Sequence, residues 1–190
     1  MLKKYLLLFL ISTCLLFSMS KEEIKPHMTK QINSVVDVLK NKELNKEAKA
    51  EKIISIMDPL FDYTLMSRLS LGKFWKTLEE NQKDDFTSLF IRVLKNSYIN
   101  KLGLYTNEKV QFLGIQEPKK NRVVLNTLLV GEKDKFDIDY KFYQKAQDDW
   151  KIYDINLLGV SIIQTYRQQF AGFLKDKSFD ELLIDLKNKQ

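Results

Sequence analysis

The sequence predicts an α+β fold in which a curved, four-stranded antiparallel sheet packs against a layer of helices in one domain. Apolar residues recur at helical spacing from Glu22 to about Tyr105. After Gly103 the period changes to two, which is typical of strands, and this period continues to Leu157. Helical spacing returns after Ser161. The strands are therefore consecutive, and this order favours helices and strands in separate layers.

The first 20 residues are predicted to be a cleaved secretory signal. Lys3 and Lys4 precede an apolar run over Tyr5 to Phe17, and the segment 18–20 places serines at the two positions that signal peptidase reads. The run is shorter than the roughly 20 apolar residues that a membrane span needs. We expect cleavage near Ser20, which leaves residues 21–190 as one exported domain.

The chain's one cysteine, Cys14, lies inside the predicted signal. The sequence from Ile11 to Cys14 faintly resembles a lipobox, but Thr13 is unfavourable immediately before a lipid-modified cysteine. The predicted mature chain therefore has no thiol, which excludes disulfides, thiolate metal sites and cysteine nucleophiles.

The charge balance is mildly basic. The formal net charge is +6, and removal of Lys3 and Lys4 would leave +4, with both signs interspersed along the chain. No basic block alternates with aromatic residues, so nucleic acid is not an expected partner. Weak attraction to an anionic membrane surface is compatible with this charge but does not follow from it.

The first half of the chain predicts four helices. The first runs from Glu22 to Asn41, a second is capped by Asn45 and ends before Pro59, and a short third ends at Gly72. The longest runs from Gln82 to about Tyr105, capped by Asn81 with Asp84 and Asp85 in its first turn. Its apolar stripe is wide enough to pack on more than one side and comprises Phe86, Leu89, Phe90, Val93, Leu94, Tyr98, Ile99 and Leu102.

Four strands joined by short polar turns predict an antiparallel meander. They are Val110–Gln116, Arg122–Val130, Lys135–Gln144 and Trp150–Leu157. The third alternates most cleanly, with Phe136, Ile138, Tyr140 and Phe142 on one face and Asp137, Asp139 and Lys141 on the other. Helices must bury the apolar face. Alternation alone does not distinguish a closed core from a cavity between the layers.

Two helices are predicted to close the chain. Gly159 allows a sharp corner, after which Ser161 and Gln164 fit a capping box for a helix to about Asp176. Ser178 and Glu181 fit a second capping box, which starts the last helix at Phe179.

The sequence offers no catalytic or metal-binding constellation. His27, the one histidine, lies near the predicted mature N-terminus and cannot supply the usual three nitrogen or sulfur ligands alone. Ser161 has no histidine to activate it and is better explained as a helix cap. Asp137 and Asp139 are predicted to face solvent. We therefore expect no enzyme, no metal and no cofactor. The surplus of 12 Phe, 8 Tyr and 2 Trp instead suggests an apolar ligand cavity.

Short motifs along the chain resemble the MlaC or toluene-tolerance family of periplasmic phospholipid carriers. The resemblance covers about Ile24 to Leu186. Its first part rests on Phe61-Asp62, Met66, Leu71-Gly72, Trp75, Gln82, Phe86, Phe90, Leu94 and Tyr98. Its second part rests on Trp150, Asp154, Gly159-Val160-Ser161, Tyr166-Arg167 and Phe170.

This resemblance implies a cone like that of nuclear transport factor, which holds lipid tails between its sheet and helices. It also implies a periplasmic shuttle between an outer-membrane lipoprotein complex and an inner-membrane ABC transporter with an MCE-domain ring. Such a shuttle maintains the lipid asymmetry of the outer membrane and has no catalytic step of its own.

Predicted contacts with the lipid tails are apolar or aromatic residues of the helices and the third strand. They are Phe61, Met66, Trp75, Phe86, Phe90, Leu94, Tyr98, Phe136, Ile138, Tyr140, Phe142 and Ile162. Arg92 and Arg167 are candidates for the lipid phosphate. Two alternatives remain open at this point: a dehydratase or isomerase on the same cone-shaped scaffold, and an exported adaptor with a filled core that binds only proteins.

Overall fold

The order of elements is helices, then strands, then helices. A computed structural model describes residues 19–102, 109–131 and 134–189, without the side chains of 98–102. The helices are α1 (Ile24–Lys40), α2 (Lys46–Met57), α3 (Tyr63–Leu71), α4 (Glu80–Leu102), α5 (Ile162–Asp176) and α6 (Phe179–Asn188). The strands are β1 (Lys109–Lys119), β2 (Arg122–Val130), β3 (Lys135–Ala146), β4 (Asp149–Leu157) and β5 (Val160–Ser161). Short 3₁₀ turns occupy Asp58–Leu60 and Phe74–Thr77.

The predicted α+β class and the antiparallel meander are confirmed. The five strands of the sheet follow one another in space in sequence order. The short β5 was not predicted. Leu158 and Gly159 adopt φ values of 52° and 78°, and this tight turn folds Val160 back against Leu157. A two-residue strand is too short to produce a detectable period.

Most helices begin where the sequence predicts. The Asn45 side chain accepts a hydrogen bond from the Ala48 N–H, and Ser178 forms a complete capping box with Glu181. The prediction for α4 was wrong at its start. Asn81 is not its cap, because the helix begins at Glu80 and Asp84 and Asp85 therefore lie beyond the first turn.

Glu79, rather than Asn81, is the residue that precedes the first turn of α4. The Glu79 carbonyl accepts from the Lys83 N–H at 3.0 Å, and the Gln82 side chain accepts from the Glu79 N–H at 3.0 Å. The bond from the Glu79 N–H to the Gln82 side chain is the half of a capping box in which the third helical residue accepts from the N-cap backbone. The predicted end of α4, near Tyr105, lies outside the described residues.

The register of the sheet places the apolar residues of β2 and β3 on one face, called here the inner face. Val123 lies opposite Phe142, Leu125 opposite Tyr140, Thr127 opposite Ile138 and Leu129 opposite Phe136. Directly opposed residues of antiparallel strands share a face, so four rows of side chains run across the sheet. On β4, Ile152, Ile155 and Leu157 extend the first three rows.

The edge of β4 is covered. Phe61 forms a parallel bridge with Ile152, and the Asp62 N–H donates to the Ile152 carbonyl at 2.9 Å. This contact joins the start of α3 to the sheet. The C-terminal end of the predicted signal also contacts the sheet. The carbonyl of the buried Met19 accepts a hydrogen bond from the Trp150 N–H at 3.1 Å. Residues 1–18, which carry most of the predicted signal, lie outside the described residues.

Buried side chains form two clusters. The sheet core lies between the inner face, α1 and the first 3₁₀ turn and comprises Met19, Ile24, Met28, Ile32, Leu60, Val123, Leu125, Phe142, Trp150 and Ile152. The helical core lies among α3 to α6 and comprises Met66, Leu71, Leu78, Phe86, Leu89, Phe90, Val93, Leu94, Ile163, Phe170, Phe179, Leu182 and Leu186. Phe61 contacts both clusters.

Candidate functional site

The inner face of the sheet is fully packed at one end and half-open at the other. In the first row Val123, Phe142 and Ile152 are at most 1% exposed. In the later rows Leu125 and Thr127 of β2 stay buried, but the other apolar residues are only half-buried. These half-buried residues are Tyr140, Ile155, Ile138, Leu157, Leu129 and Phe136. From Tyr140 to Phe136 this half-open part extends over about 13 Å of strand, at the usual rise of a β-strand.

Helix α1 shows the same gradient. Ile24 and Met28 are completely buried and Ile32 is 5% exposed, whereas Val35 and Leu39 nearer the helix C-terminus are half-buried. Both partners in this packing, helix and sheet, therefore become less buried along their lengths. Apolar surface left incompletely packed on a helix and a sheet is typical of a protein with a ligand cavity.

Tyr140 lies at the beginning of the half-open part. Burial raises the pKa of its hydroxyl to about 12, yet the side chain keeps part of its accessible surface. The Tyr140 hydroxyl forms no hydrogen bond with any residue that the structure describes. A side chain surrounded by protein but incompletely covered faces a gap in the packing.

The predicted tail-contact residues fall into two groups. Phe136, Ile138 and Tyr140 lie in the half-open part of the inner face, and Phe142 lies at its packed end. Met66, Phe86, Phe90 and Leu94 lie in the helical core, where Trp75 and Ile162 pack against them. Phe61 lies between the two clusters, and the side chain of Tyr98 lies outside the described residues.

Phe86 and Phe90 are packed by other aromatic rings. They stack on each other with centroids 5.7 Å apart, and each meets Phe170 edge-on, at 5.5 Å and 5.8 Å. Tyr166 meets Phe90 edge-on at 5.0 Å. Both phenylalanines are 0% exposed. Their contact with a lipid stays a prediction that this packing neither requires nor tests.

The two candidate phosphate ligands lie on different helices. Arg92 is exposed on α4 and Arg167 is exposed on α5. The Arg167 guanidinium lies against Gly72, at the end of α3. A phosphate contact by either arginine remains a prediction.

Asp154 anchors α5 to the sheet. Its carboxylate accepts hydrogen bonds from the Ser161 hydroxyl at 2.7 Å, the Ile163 N–H at 3.2 Å and the Lys141 ammonium at 2.9 Å. Ser161 also accepts from the Gln164 N–H, as the predicted N-cap requires. Ser161 thus has a structural role, and it holds α5 beside β4.

Residues on the neighbouring strands also line the half-open part of the inner face, and they were not predicted. Val110 and Phe112 of β1, Leu129 of β2, and Ile155 and Leu157 of β4 share the half-open face with Ile138. Their alternation is as regular as that of β3, and the pairing of the strands was needed to show that they form one wall.

A polar group also lies near the junction of the two clusters. Lys95 of α4 forms a salt bridge with Asp58 and lies 5.1 Å from the ring centroid of Tyr63. Tyr63 donates to Asp58 at 2.7 Å, and burial together with this bond raises the pKa of Tyr63. The helical spacing of α4 gave no sign of this lysine, because it occupies a position next to the apolar stripe.

Within the described ranges, no group of three or more His, Cys, Asp or Glu side chains is placed to hold a metal ion. In the same ranges, every helix is too short or too polar to cross a membrane. His27 lies on α1 and shares a hydrogen bond with Gln31 at 3.2 Å.

Comparison with known proteins agrees with the fold and the motifs. A curated relative from Haemophilus influenzae, named "Intermembrane phospholipid transport system binding protein MlaC", is 22% identical over 120 residues. The match covers 61% of this chain and 56% of the relative, so the chain matches little more than half of that protein's length.

A solved structure is similar over nearly its full length. The phospholipid-binding protein from Ralstonia solanacearum, determined in complex with a phospholipid, superposes with a TM-score of 0.75 at 22% identity. The superposition covers 86% of this chain and 94% of that one, which establishes the fold. The family model described as MlaC protein matches residues 29–188. Since this match covers most of the sequence and the fold agrees with it, the chain belongs to the MlaC protein family.

Proposed function

We propose that this chain is a periplasmic phospholipid carrier that shelters acyl chains between its sheet and its helices. The observation that carries the proposal is the half-open apolar wall around Ile138 on the inner face of the sheet. The relatives' names support it, since one is a phospholipid transport protein and the other holds a phospholipid. Membership of the family also agrees with the prediction that the chain is not an enzyme.

The free energy of lipid binding to such a carrier would come mainly from the acyl chains of the lipid. Transfer of one CH₂ group from water to an apolar cavity contributes about 0.8 kcal/mol. Two acyl chains with about 30 such groups would therefore contribute roughly 24 kcal/mol to binding. A hydrogen bond to the headgroup contributes about 1 kcal/mol. We therefore expect selectivity for chain length and cavity volume, with the headgroup near the protein surface.

The carrier would exchange lipid with two membrane-bound partners. These would be an outer-membrane lipoprotein complex and an inner-membrane ABC transporter with an MCE-domain ring, as the family resemblance implies. Export would use the predicted signal at residues 1–20, whose basic start and apolar run support it. Nucleotide hydrolysis would belong to the transporter.

Lipid extraction tests the proposal directly. Protein purified from a periplasm should yield phospholipid near one molecule per chain when its organic extract is analysed by mass spectrometry. A protein that is folded but reproducibly empty would overturn the carrier and favour a protein-binding adaptor with a filled core. Intact mass of the same sample shows whether the chain begins at Lys21, as the predicted cleavage requires.

A further inference from the structure

A basic patch lies on the outer face of the sheet, near the turn that joins β1 to β2. The strand register aligns Lys119, Arg122, Tyr143 and Lys151 in one row across four strands. This row lies on the face opposite Val123, which is buried in the sheet core. The patch is thus remote from the proposed lipid wall, which lies on the inner face.

Arg122 is held between two tyrosine rings. Its guanidinium carbon lies 5.5 Å from the ring centroid of Tyr143 and 5.4 Å from that of Tyr153. One of its N–H groups donates to the Asn121 carbonyl at 2.8 Å, and no carboxylate in the described ranges forms a salt bridge with it. A guanidinium has five N–H donors, so most of the Arg122 donors form no hydrogen bond with the described residues.

Hydrogen bonding and backbone geometry fix the two rings. The Tyr143 hydroxyl donates to Asp62, the residue that caps α3. Tyr153 is the extra residue of a bulge in β4, and its ring meets Tyr143 edge-on at 6.0 Å. A guanidinium stacked on anchored rings loses little conformational entropy when it binds a carboxylate with two parallel hydrogen bonds.

The unpaired charge around Arg122 is positive. Asp62 is bound by Lys145 at 3.2 Å and Asp149 by Lys151 at 3.5 Å, and neither carboxylate is widely exposed. The other exposed cations of the patch are Arg68, Lys119 and Lys120, and Asp148 is an exposed acid at its border.

We propose that this patch, centred on Arg122, is a docking site for an acidic segment of a partner protein. Charge complementarity favours an acidic partner, and arginine and tyrosine are the residues that most often dominate binding energy at protein interfaces. A membrane surface fits less well, because bilayer attachment needs apolar side chains that insert. Among the described residues, the large apolar side chains that are exposed lie outside the patch; they are Leu113, Ile115, Leu158, Val160 and Ile184.

Fluorescence anisotropy with a labelled oligo-glutamate peptide in low-salt buffer tests the site on the purified protein. We expect Arg122→Gln to weaken binding about tenfold, or about 1.4 kcal/mol. Arg122→Lys should recover only part of the loss, since lysine offers no planar fork. Lys119→Gln removes a neighbouring charge without touching the tyrosines and should weaken binding about twofold to threefold.

The matched control is Arg92→Gln, which removes an exposed arginine from α4 and should leave peptide binding within twofold. Equal losses in Arg92→Gln and Arg122→Gln would overturn the site, as would full binding by a folded Arg122→Gln variant. Stronger Arg122-dependent binding to phosphatidylglycerol vesicles than to the peptide would overturn the choice of a protein partner. Lipid content should not change in the Arg122 and Lys119 variants, so failure here is distinct from failure of the proposed carrier function.

Discussion

The absence of a side chain at Gly72 leaves room for the guanidinium of Arg167. Gly72 adopts φ 60° and ψ −122°, a conformation open to glycine and unfavourable for other residues. A Cβ atom at this position would lie 2.8 Å from the Arg167 Nε atom. The two motifs that carry the family resemblance here, Leu71-Gly72 and Tyr166-Arg167, are therefore in contact, and together they join α3 to α5.

Replacement of Gly72 by alanine should destabilise the protein. We expect the free energy of unfolding to fall by about 2–3 kcal/mol, because the substitution strains the backbone and displaces Arg167. Urea unfolding followed by circular dichroism measures the change. Gly172→Ala on α5 is the control, because a Cβ there meets nothing within 4 Å and should stabilise the helix by up to about 1 kcal/mol. A Gly72→Ala protein as stable as wild type would show that the contact is dispensable.

At the residue scale, the sequence was sufficient for local caps and insufficient for contacts between distant residues. Ser161 was predicted as an N-cap because the bond to Gln164 depends on three residues of separation. Its second bond, to Asp154, depends on how β4 and α5 pack. The Arg167 contact with Gly72 joins residues of two separate helices, and no local pattern encodes it.

Among the elements, α3 is tied to the sheet through Asp62. The Asp62 carboxylate accepts from the Leu65 N–H at 2.9 Å and the Tyr143 hydroxyl, and it pairs with Lys145. Burial acts to raise the pKa of Asp62, but the bonds from Tyr143, Leu65 and Lys145 outweigh it and hold the pKa below its usual value. One carboxylate thus caps a helix and bonds to the outer face of β3.

This lowered pKa predicts acid sensitivity. A carboxyl group with a lower pKa in the folded state adds stability above its unfolded pKa, near 4, and that stability is lost as the pH falls through the folded value. We expect Asp62→Asn, which retains a good N-cap, to cost about 1–2 kcal/mol at neutral pH. The difference from wild type should shrink between about pH 4 and pH 2.

Urea unfolding at a series of pH values measures the effect. Asp137→Asn, on the exposed face of β3, should leave the pH profile unchanged. If the difference between Asp62→Asn and wild type stays constant down to pH 2, the carboxylate charge does not supply the stability.

Element boundaries followed the sequence where a local signal sets them. Asn45 and Ser178 are direct caps, whereas at the start of α4 the Gln82 side chain accepts from the Glu79 N–H. The stronger cap preference of Asn81 concealed this start. The two-residue β5 depends on a left-handed Leu158, an uncommon conformation for leucine. Propensity cannot identify an element that tertiary pairing imposes.

For the whole molecule, composition and order were enough for the α+β class but not for the division of its interior. The long stripe of α4 suggested a cavity wall, and the described part of it is packed in the helical core with α5 and α6. The apolar face of β3 is half-open instead. The apolar stripe of α4 and the apolar face of β3 are equally apolar in the sequence. Residues far apart in the chain decide how tightly each one is packed.

Substitution of Ile138 tests whether the half-open part of the inner face holds lipid or only packs against other protein residues. Ile138→Trp adds bulk on the inner face, where the side chain is half-buried, and should displace acyl chains without adding a charge. We expect phospholipid per chain to fall at least fivefold, measured by mass spectrometry of the organic extract. The matched control is Leu128→Trp, which adds the same bulk to the opposite face of the same sheet, where Leu128 lies opposite Asp137. It should retain wild-type lipid content. Phe90→Ala tests the helical core in the same assay and should lower stability by about 3–5 kcal/mol. If Ile138→Trp folds and keeps its lipid while a folded Phe90→Ala loses it, the lipid lies among the helices rather than against the sheet.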